Sequence, residues 1–169
     1  QGDGFIVRTP GGEYRTRSVL LSIGRRGTPR KLGVPGEDLP KIVYRLVDPE
    51  QYRGKRVLVV GGGDSAIEAA LAVAAEPGAS VRLSYRGEAF GRVKQKNRER
   101  LAEAEATGRL EVLLASNVVR IEPASVELEF GGGTRQIDND AVIVCAGGIL
   151  PTPMLKEMGI QVETKFGAA

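Results

Sequence analysis

Residues 57–66 read VLVVGGGDSA, a run of apolar and mostly β-branched residues that ends in three glycines, an acid, a serine and an alanine. The apolar run predicts a buried β-strand. The following segment, DSAIEAALAVAA (64–75), predicts an alanine-rich helix, which Pro77 and Gly78 bring to an end. The glycines therefore lie at the turn between a strand and a helix, and the spacing of the small residues there decides the fold.

Gly61, Gly63 and Ala66 have the spacing of the dinucleotide-binding fingerprint, in which Ala is accepted at the third position. The first glycine allows a tight turn, the second lets a pyrophosphate approach the backbone, and the third small residue lets the helix pack closely on the strand. Backbone N–H groups and the dipole at the start of the helix then favour a diphosphate. The turn lies inside a strand–helix–strand unit of about 30 residues, which is the context that the fingerprint requires. The alternative is a glycine-rich turn that binds no ligand.

The rest of the chain alternates predicted strands and helices. Further buried strands are indicated by SVRLSYR (80–86), LEVLLA (110–115) and AVIVCA (141–146), and a charged amphipathic helix by KQKNRERLAEAEA (94–106). VVRIEP, SVELEF and TRQID follow one another at short spacing and predict an antiparallel meander. We therefore expect an α/β fold, a Rossmann-like parallel sheet with crossover helices and an inserted antiparallel β-meander.

The chain also contains an internal repeat. Residues 5–29 and 126–153 each read as a strand, a glycine-rich turn, a polar strand, a buried apolar strand, and then glycine and proline. In the first copy the buried strand is VLLSI (19–23). We therefore expect residues 1–29 to be the end of one such domain and residues 54–150 to be a complete second one.

The choice of nucleotide depends on the charge near the end of the second strand of such a unit. An acid there would accept a hydrogen bond from the ribose 2′-hydroxyl of NAD, whereas an arginine favours the 2′-phosphate of NADP. The strand ends in Arg86, which is followed by Glu88, Arg92 and Lys94. We therefore expect NADP, with NAD as the alternative, and predict that Arg86, together with Arg92, binds the 2′-phosphate.

The composition excludes several chemistries. The 169-residue chain has no His and a single cysteine, Cys145, so by itself it cannot form a Ser–His triad, a His-ligated metal site or a CxxC redox pair. Cys145 lies in an apolar strand, which favours a buried structural thiol. A formal net charge of +3 is too small to demand nucleic acid as a partner. Because the sequence has no apolar run of 18 residues and no signal peptide, we expect a soluble, cytoplasmic protein without a membrane partner.

Four segments together resemble the flavoprotein reductases that have two dinucleotide-binding domains, and most of all their thioredoxin-reductase-like branch. They are VLLSIGRRGTPRKLGVPGED (19–38), VLVVGGGDSAIEAA (57–70), VRLSYR (81–86) and AVIVCAGGILPTP (141–153). In that family an NAD(P) domain is inserted into an FAD domain. The resemblance implies the FAD/NAD(P)-binding type of the α/β fold, with FAD bound only by a full-length protein.

The resemblance also implies how the chain is divided. Residues 1–40 would be the end of an FAD-type domain plus a linker, residues 41–150 the NAD(P)-binding domain, and residues 151–169 a return segment towards a missing FAD domain. Three features depart from the family pattern. The FAD-binding glycine motif expected upstream and the Gly–Asp flavin motif expected downstream are both absent from the 169 residues. Thioredoxin reductases carry a CxxC disulfide shortly before the glycine turn, and KIVYRLVDPEQYRGK (41–55) has no cysteine. The family's paired arginines are only partly present, because Gly87 follows Arg86.

We therefore expect the NADPH-binding part of an FAD-dependent oxidoreductase, which positions the nicotinamide for hydride transfer to flavin. The predicted cofactor-binding residues are Gly61, Gly62, Gly63, Asp64, Ser65, Ala66, Glu68, Arg86, Arg92 and Gly147. No catalytic acid, base or nucleophile and no metal ligand is predicted. The expected partners are the dinucleotide and the missing FAD domain, and homodimer formation is left open. The alternatives to an enzyme are a nucleotide-sensing module and a non-catalytic interaction module. Among enzymes, ferredoxin–NADP-type reductases and low-molecular-weight disulfide reductases remain open, because both can lack the CxxC.

Overall fold

The structure is a computed structural model, and it describes residues 4–23, 28–91 and 93–163 of the chain. The strands are β1 (Phe5–Thr9), β2 (Gly12–Thr16), β3 (Thr28–Pro29), β4 (Ile42–Val43), β5 (Arg56–Val60), β6 (Ser80–Ser84), β7 (Leu110–Leu113), β8 (Asn117–Ile121), β9 (Ser125–Phe130), β10 (Gly133–Asp138), β11 (Ala141–Val144) and β12 (Gly148–Ile149). The α-helices are α1 (Asp64–Ala74), α2 (Gln95–Ala106) and α3 (Thr152–Glu157), and a short 3-10 helix covers Pro49–Tyr52.

A five-stranded parallel sheet forms the centre of the larger unit, with the strand order β4–β11–β5–β6–β7. The chain moves outward from β5 through β6 to β7, while β11 and β4 lie on the other side of β5. The direction of strand succession therefore reverses between β5 and β11. In open α/β sheets, the crevice outside the carboxyl ends of the strands at such a reversal is where ligands bind.

Alternating residues of the central strands supply two separate cores, because successive side chains of a strand point to opposite faces of the sheet. Val57 and Val59 of β5 pack with α1 and α2 in one buried cluster. Leu58 and Val60 belong to the cluster on the other face, which includes Val126 and other residues of the antiparallel strands. Because both faces of β5 are covered, its sequence is a continuous apolar run rather than an alternating one.

The antiparallel meander β8–β9–β10 covers that second face. β9 is the middle strand and pairs with β8 and with β10. Val126 and Leu128 of β9 are buried and alternate with the more exposed Glu127 and Glu129. This period of two is why the segment forms a half-buried antiparallel strand.

The segment before β4 is an ordered part of the larger unit, although its sequence has no periodicity. The carboxylate of Glu37, which is only 7% exposed, accepts hydrogen bonds from the backbone N–H of Leu32 (2.5 Å) and of Gly33 (2.7 Å) and from the hydroxyl of Tyr44 (2.9 Å). Burial opposes ionisation, but these three donors outweigh it and lower the pKa of Glu37. A short antiparallel pair between β3 and β12 adds a further connection within the unit.

The described chain divides into two compact units, with residues 28–149 in the larger one and residues 4–23 and 150–163 in the smaller one. The smaller unit contains the β1–β2 hairpin and α3. The prediction of a buried strand at VLLSI (19–23) is not met, because these residues have no regular structure and Leu20 is 89% exposed. An apolar segment forms a buried strand only when neighbouring strands pair with it and a layer covers it, and the described residues provide neither.

The predicted fold class is confirmed: the larger unit is a parallel α/β sheet with crossover helices and an inserted antiparallel meander. The strands and helices expected around the glycine turn are all present. Among the described residues, no helix is long and apolar enough to cross a membrane.

Candidate functional site at the carboxyl edge of the sheet

The turn between β5 and α1 is closed by a contact with the end of β11. Gly61 has φ +151°, a conformation that residues with a side chain rarely adopt. A Cβ placed at Gly61 would lie 2.5 Å from the carbonyl oxygen of Cys145 and 3.0 Å from the Cβ of Ala66. Glycine at position 61 therefore lets the turn, the start of α1 and the end of β11 meet at the reversal of strand order.

Gly63, two residues further on, has a different environment. It is the N-cap residue of α1 with φ −108°, so its backbone conformation does not require glycine. A Cβ placed there would have no atom within 4 Å. Within the described residues, the backbone N–H groups of Gly63, Asp64 and Ser65 donate to no protein acceptor. The start of α1 thus presents unpaired donors beside open space, which is the arrangement that suits an anion.

Gly62, between them, is explained by the tyrosine that follows β6. A side chain at Gly62 would collide with the ring of Tyr85, and a Cβ at Gly87 would lie 2.7 Å from the other edge of the same ring. The ring also stacks on Phe90, with the ring centroids 5.3 Å apart. Tyr85 therefore joins the glycine turn to the segment after β6, and Gly87 is required by this packing where the family pattern would have a second arginine.

Arg86 lies in that segment, between Tyr85 and Gly87. The backbone is fixed there by hydrogen bonds from Ser116 N to Tyr85 O (3.1 Å) and from Ala115 N to Gly87 O (3.0 Å). Arg86 is exposed, and its side chain has no hydrogen bond or ion pair with the described part of the chain. Its backbone is thus placed at the carboxyl edge of the sheet while its guanidinium remains available to a ligand.

The structure places Asp64 and Glu68, both predicted to contact the cofactor, with their carboxylates towards α2. Oδ1 of Asp64 accepts from the backbone N–H of Lys94 (3.0 Å) and from Nδ2 of Asn97 (2.8 Å). The same Nδ2 also donates to Oε1 of Glu68 (3.0 Å). The hydrogen bonds from Asn97 and Lys94 lower the pKa of Asp64. Asn97 carried no signal in the sequence, where it is one polar residue among many in a charged helix.

The remaining predicted residues differ in how they are placed. Ser65 is exposed and Ala66 is buried beneath the turn. Gly147, in the loop after β11, is exposed, has φ +84°, and accepts a hydrogen bond at its carbonyl from Arg30 N (3.0 Å). Arg92 lies outside the described residues. The structure therefore gathers the glycine turn, the start of α1, Arg86 and the loop of Gly147 at one edge of the sheet.

The side chains at this edge offer binding rather than acid–base chemistry. Cys145 is half-buried at the end of β11, and burial raises the pKa of its thiol. A raised pKa disfavours the reactive thiolate at neutral pH, as expected for a structural cysteine. Within the residues that the structure describes, no group of three or more His, Cys, Asp and Glu side chains could hold a metal ion.

Comparison with known families gives a match over residues 1–167 to the pyridine nucleotide-disulphide oxidoreductases. The chain belongs to this family. The resemblance to flavoprotein reductases that was noted in the sequence is confirmed by this match. The members of this family that the chain resembles are oxidoreductases, as their names state.

Three curated relatives illustrate the match. A ferredoxin–NADP reductase of Thermus thermophilus is 32% identical over 174 residues, which span 96% of this chain and 51% of the relative. A ferredoxin–NADP reductase of Ignicoccus hospitalis is 40% identical over 105 residues, 62% of this chain and 34% of the relative. A bacilliredoxin reductase of Bacillus subtilis is 28% identical over 171 residues, 99% of this chain and 52% of the relative.

Solved structures of the same family have the same fold. The bacillithiol disulfide reductase of Staphylococcus aureus superimposes with a TM-score of 0.88 at 28% identity, covering 98% of this chain and 51% of that protein. The thioredoxin reductase of Lactococcus lactis superimposes with a TM-score of 0.74 at 25% identity, covering 87% of this chain and 50% of that protein. The chain spans about half the length of the relatives that it matches from end to end.

Proposed function

We propose that the larger unit is the NADPH-binding part of an FAD-dependent oxidoreductase and that it positions the nicotinamide for hydride transfer to a flavin. The observation that carries this proposal is the start of α1, where backbone N–H groups have no acceptor among the described residues and the side-chain position of Gly63 is open. This point lies at the carboxyl edge of the sheet next to the reversal of strand order, where α/β folds bind dinucleotides. The fingerprint, the open start of α1 and the family each support a dinucleotide as the ligand.

The residues at this edge fit the separate parts of the dinucleotide. The N–H groups of Gly63, Asp64 and Ser65 would hold the diphosphate, assisted by the dipole of α1. Gly61 and Ala66 would hold the turn close to β11, so that a nucleotide can lie across the crevice. Gly147 would allow close approach of the nucleotide to the loop after β11.

Arg86 supports NADPH rather than NADH. Arg86 is exposed and directly follows Tyr85, whose ring packs against Gly62 of the glycine turn. A charge-assisted hydrogen bond to a 2′-phosphate contributes roughly 1.5–3 kcal/mol. That free energy corresponds to a preference of tenfold or more, because about 1.4 kcal/mol is a factor of ten in an equilibrium constant. Arg92 is a second proposed contact to the 2′-phosphate.

We propose that FAD is bound by a longer form of the protein, in which residues 1–40 and 151–169 belong to the flavin domain or its linkers and residues 41–150 to the nucleotide domain. Residues 28–40 would be the linker, because Leu32, Val34 and Leu39 pack on the core of the larger unit. The exposed apolar residues of the smaller unit and the length of the relatives support this division. The named activities of the relatives suggest ferredoxin or a low-molecular-weight disulfide as the final electron acceptor. Transfer through a CxxC disulfide is not proposed, because Cys145 is the only cysteine in the chain.

The chemistry itself would come from the bound nucleotide, since reduced nicotinamide supplies a hydride. The contribution of this chain is to bind and orient. The N–H groups at the start of α1 would hold the diphosphate, Arg86 would hold the adenosine end, and the crevice beside β11 would accept the other half of the dinucleotide. Orientation of this kind lowers the entropic part of the barrier to transfer.

Calorimetric titration of the 169-residue chain with NADPH and NADH, at one fixed salt concentration, tests this proposal. We expect NADPH to bind at least tenfold more tightly, and we expect Arg86→Ala to remove that preference while leaving NADH affinity unchanged. Arg109→Ala is the matched control, because Arg109 is an exposed cation that pairs with Glu103 at the far end of α2. It should alter neither affinity.

Other results would point elsewhere. If NADH binds as tightly as NADPH and Arg86→Ala changes nothing, the 2′-phosphate assignment is wrong although the dinucleotide site stands. If neither nucleotide binds at millimolar concentration, the proposed function is wrong, and a non-catalytic interaction module becomes the better account. Binding of NADPH by a longer protein that holds no flavin would instead favour a nucleotide-sensing module.

A further inference from the structure

The first turns of α1 carry two carboxylates at a place where a phosphate is proposed to bind. Asp64 is the first residue of the helix and Glu68 follows four residues later, so the two side chains lie on the same face. Carboxylates near the start of a helix are attracted by the same N–H groups and dipole that would hold a phosphate. If they were free to turn towards that point, they would compete with a diphosphate and repel it.

One buried side chain on α2 donates hydrogen bonds to both carboxylates. Asn97 is only 5% exposed, and its Nδ2 lies 2.8 Å from Oδ1 of Asp64 and 3.0 Å from Oε1 of Glu68. An amide group has two hydrogens to donate, so these two bonds use its full donor capacity. Both acids are thereby held against α2.

The backbone N–H groups at the start of α2 need an acceptor from another part of the chain. Its N-cap residue, Lys94, makes no side-chain capping bond, and its first turn contains no acidic residue. Oδ1 of Asp64 accepts the backbone N–H of Lys94, one of the donors that the start of a helix leaves without an intrahelical partner. This arrangement satisfies a donor of α2, while the N–H groups at the start of α1 have no acceptor among the described residues.

We infer that Asn97 is a positioning residue for the phosphate site: it holds the carboxylates of Asp64 and Glu68 against α2 and so keeps the start of α1 available to an anion. The inference rests on the proposed function, since it concerns the diphosphate of the same dinucleotide. It assigns a role to a residue that would not touch the nucleotide. We expect the effect of Asn97 to be electrostatic and to concern the diphosphate, which NADPH and NADH share.

The test is the affinity of Asn97→Ala for both nucleotides. Among the described residues, loss of Asn97 removes the hydrogen-bond partner of Glu68 and leaves Asp64 with the Lys94 N–H. We expect both affinities to fall by the same factor, about three- to tenfold at low salt, which corresponds to one additional carboxylate near the diphosphate. The ratio of NADPH to NADH affinity should stay constant, in contrast to Arg86→Ala. The deficit should shrink as salt is added, because screening weakens the repulsion.

Removing the carboxylate charge of Glu68 or Asp64 distinguishes this positioning role of Asn97 from a merely structural one. The double variants Asn97→Ala/Glu68→Gln and Asn97→Ala/Asp64→Asn should recover affinity, because the repelling charge is gone. Gln95→Ala is the matched control, since the side chain of Gln95 lies on the same turn and, within the described residues, donates to Glu99 of its own helix. It should leave both affinities unchanged. Asn97→Ser, whose hydroxyl is too short to reach both acids, replaces Asn97→Ala if the latter does not fold. Without nucleotide, loss of Asn97 should also raise the pKa of Asp64, measured by NMR.

Several results would overturn the inference. Unchanged affinities in Asn97→Ala, a loss that neither double variant restores, or an unchanged pKa of Asp64 would each show that Asn97 does not hold the acids away from the phosphate site. These results leave the proposed function intact as long as the unmodified chain binds NADPH. If the unmodified chain binds neither nucleotide, the proposed function fails and the inference fails with it.

Discussion

Gly61 and Gly63 are two residues apart, but the reasons for glycine at these positions differ. At Gly61 the protein itself requires glycine, because φ is +151° and the carbonyl oxygen of Cys145 fills the space of a side chain. At Gly63 neither the backbone angle nor any neighbouring atom requires it. We propose that glycine at position 63 is instead explained by a ligand that approaches the backbone.

Substitution by alanine should therefore separate the two glycines. Gly61→Ala combines backbone strain with a close contact and should lower the free energy of unfolding by about 2–4 kcal/mol. Gly63→Ala should change it by less than about 1 kcal/mol and yet weaken NADPH binding tenfold or more, because the methyl group occupies the path of the phosphate. Urea unfolding and calorimetry on the two variants check this. Loss of stability in Gly63→Ala, or full NADPH affinity in it, would contradict the explanation.

Among the elements, those that depend on local pattern could be predicted and those that depend on distant partners could not. The strand at 56–60 and the helix that follows were evident from an apolar run, glycines and alanines. The strand expected at 19–23 was wrong, because an apolar run becomes a strand only beside other strands. The roles of Asn97 and Tyr85 could not be predicted for the same reason. Asn97 hydrogen-bonds Glu68, about 30 positions earlier, and Tyr85 packs on Gly62, about 20 positions earlier, and no local pattern reveals such pairs.

At the amino ends of the parallel strands, opposite the candidate site, ion pairs join β5 to the residues before β11. Asp140 accepts from the Arg56 guanidinium at both carboxylate oxygens (2.8 and 3.0 Å) and also from Arg56 N (2.8 Å). Asp138 lies 2.7 Å from the same guanidinium. The hydrogen bonds from the Arg56 side chain and backbone lower the pKa of Asp140 to about 2.

This lowered pKa predicts an acid-dependent loss of stability. Because the folded-state pKa of Asp140 is below its ordinary value, its contribution is present above about pH 4 and is lost as the pH falls towards 2. After allowance for solvent screening of this partly exposed pair, we expect Asp140→Asn to cost about 1 kcal/mol at pH 7 and almost nothing at pH 2. Thermal unfolding between pH 2 and pH 7 measures the difference. Asp38→Asn is the control, since Asp38 is exposed and makes a longer ion pair, 3.5 Å, with Lys31. An equal effect of both variants on stability would contradict the role given to Asp140.

At the scale of the whole molecule, the smaller unit exposes many more large apolar side chains than the larger one. Leu20 is 89% exposed, and Val19, Leu21 and Ile23 beside it are 42–48% exposed. Contiguous apolar residues of this kind mark a surface that another part of a protein covers. We propose that the flavin domain of a longer protein covers them.

The 169-residue chain should therefore associate through this segment. We expect Leu20→Lys to reduce the self-association seen by sedimentation velocity and to leave NADPH affinity unchanged. Val47→Lys is the control, because Val47 is 81% exposed but lies in the larger unit. Equal association of the unmodified chain and Leu20→Lys would mean that residues 19–23 are not a covered surface.

An NMR titration of the 169-residue chain with NADPH, followed through its backbone amides, tests directly whether the start of α1 binds the dinucleotide. We expect the largest shifts at Gly63, Asp64 and Ser65, with smaller ones at Arg86 and Gly147. A response confined to the cavity between the parallel sheet and the meander, which Arg82, Leu128 and Arg135 line, would contradict it. So would the absence of any shift at millimolar NADPH.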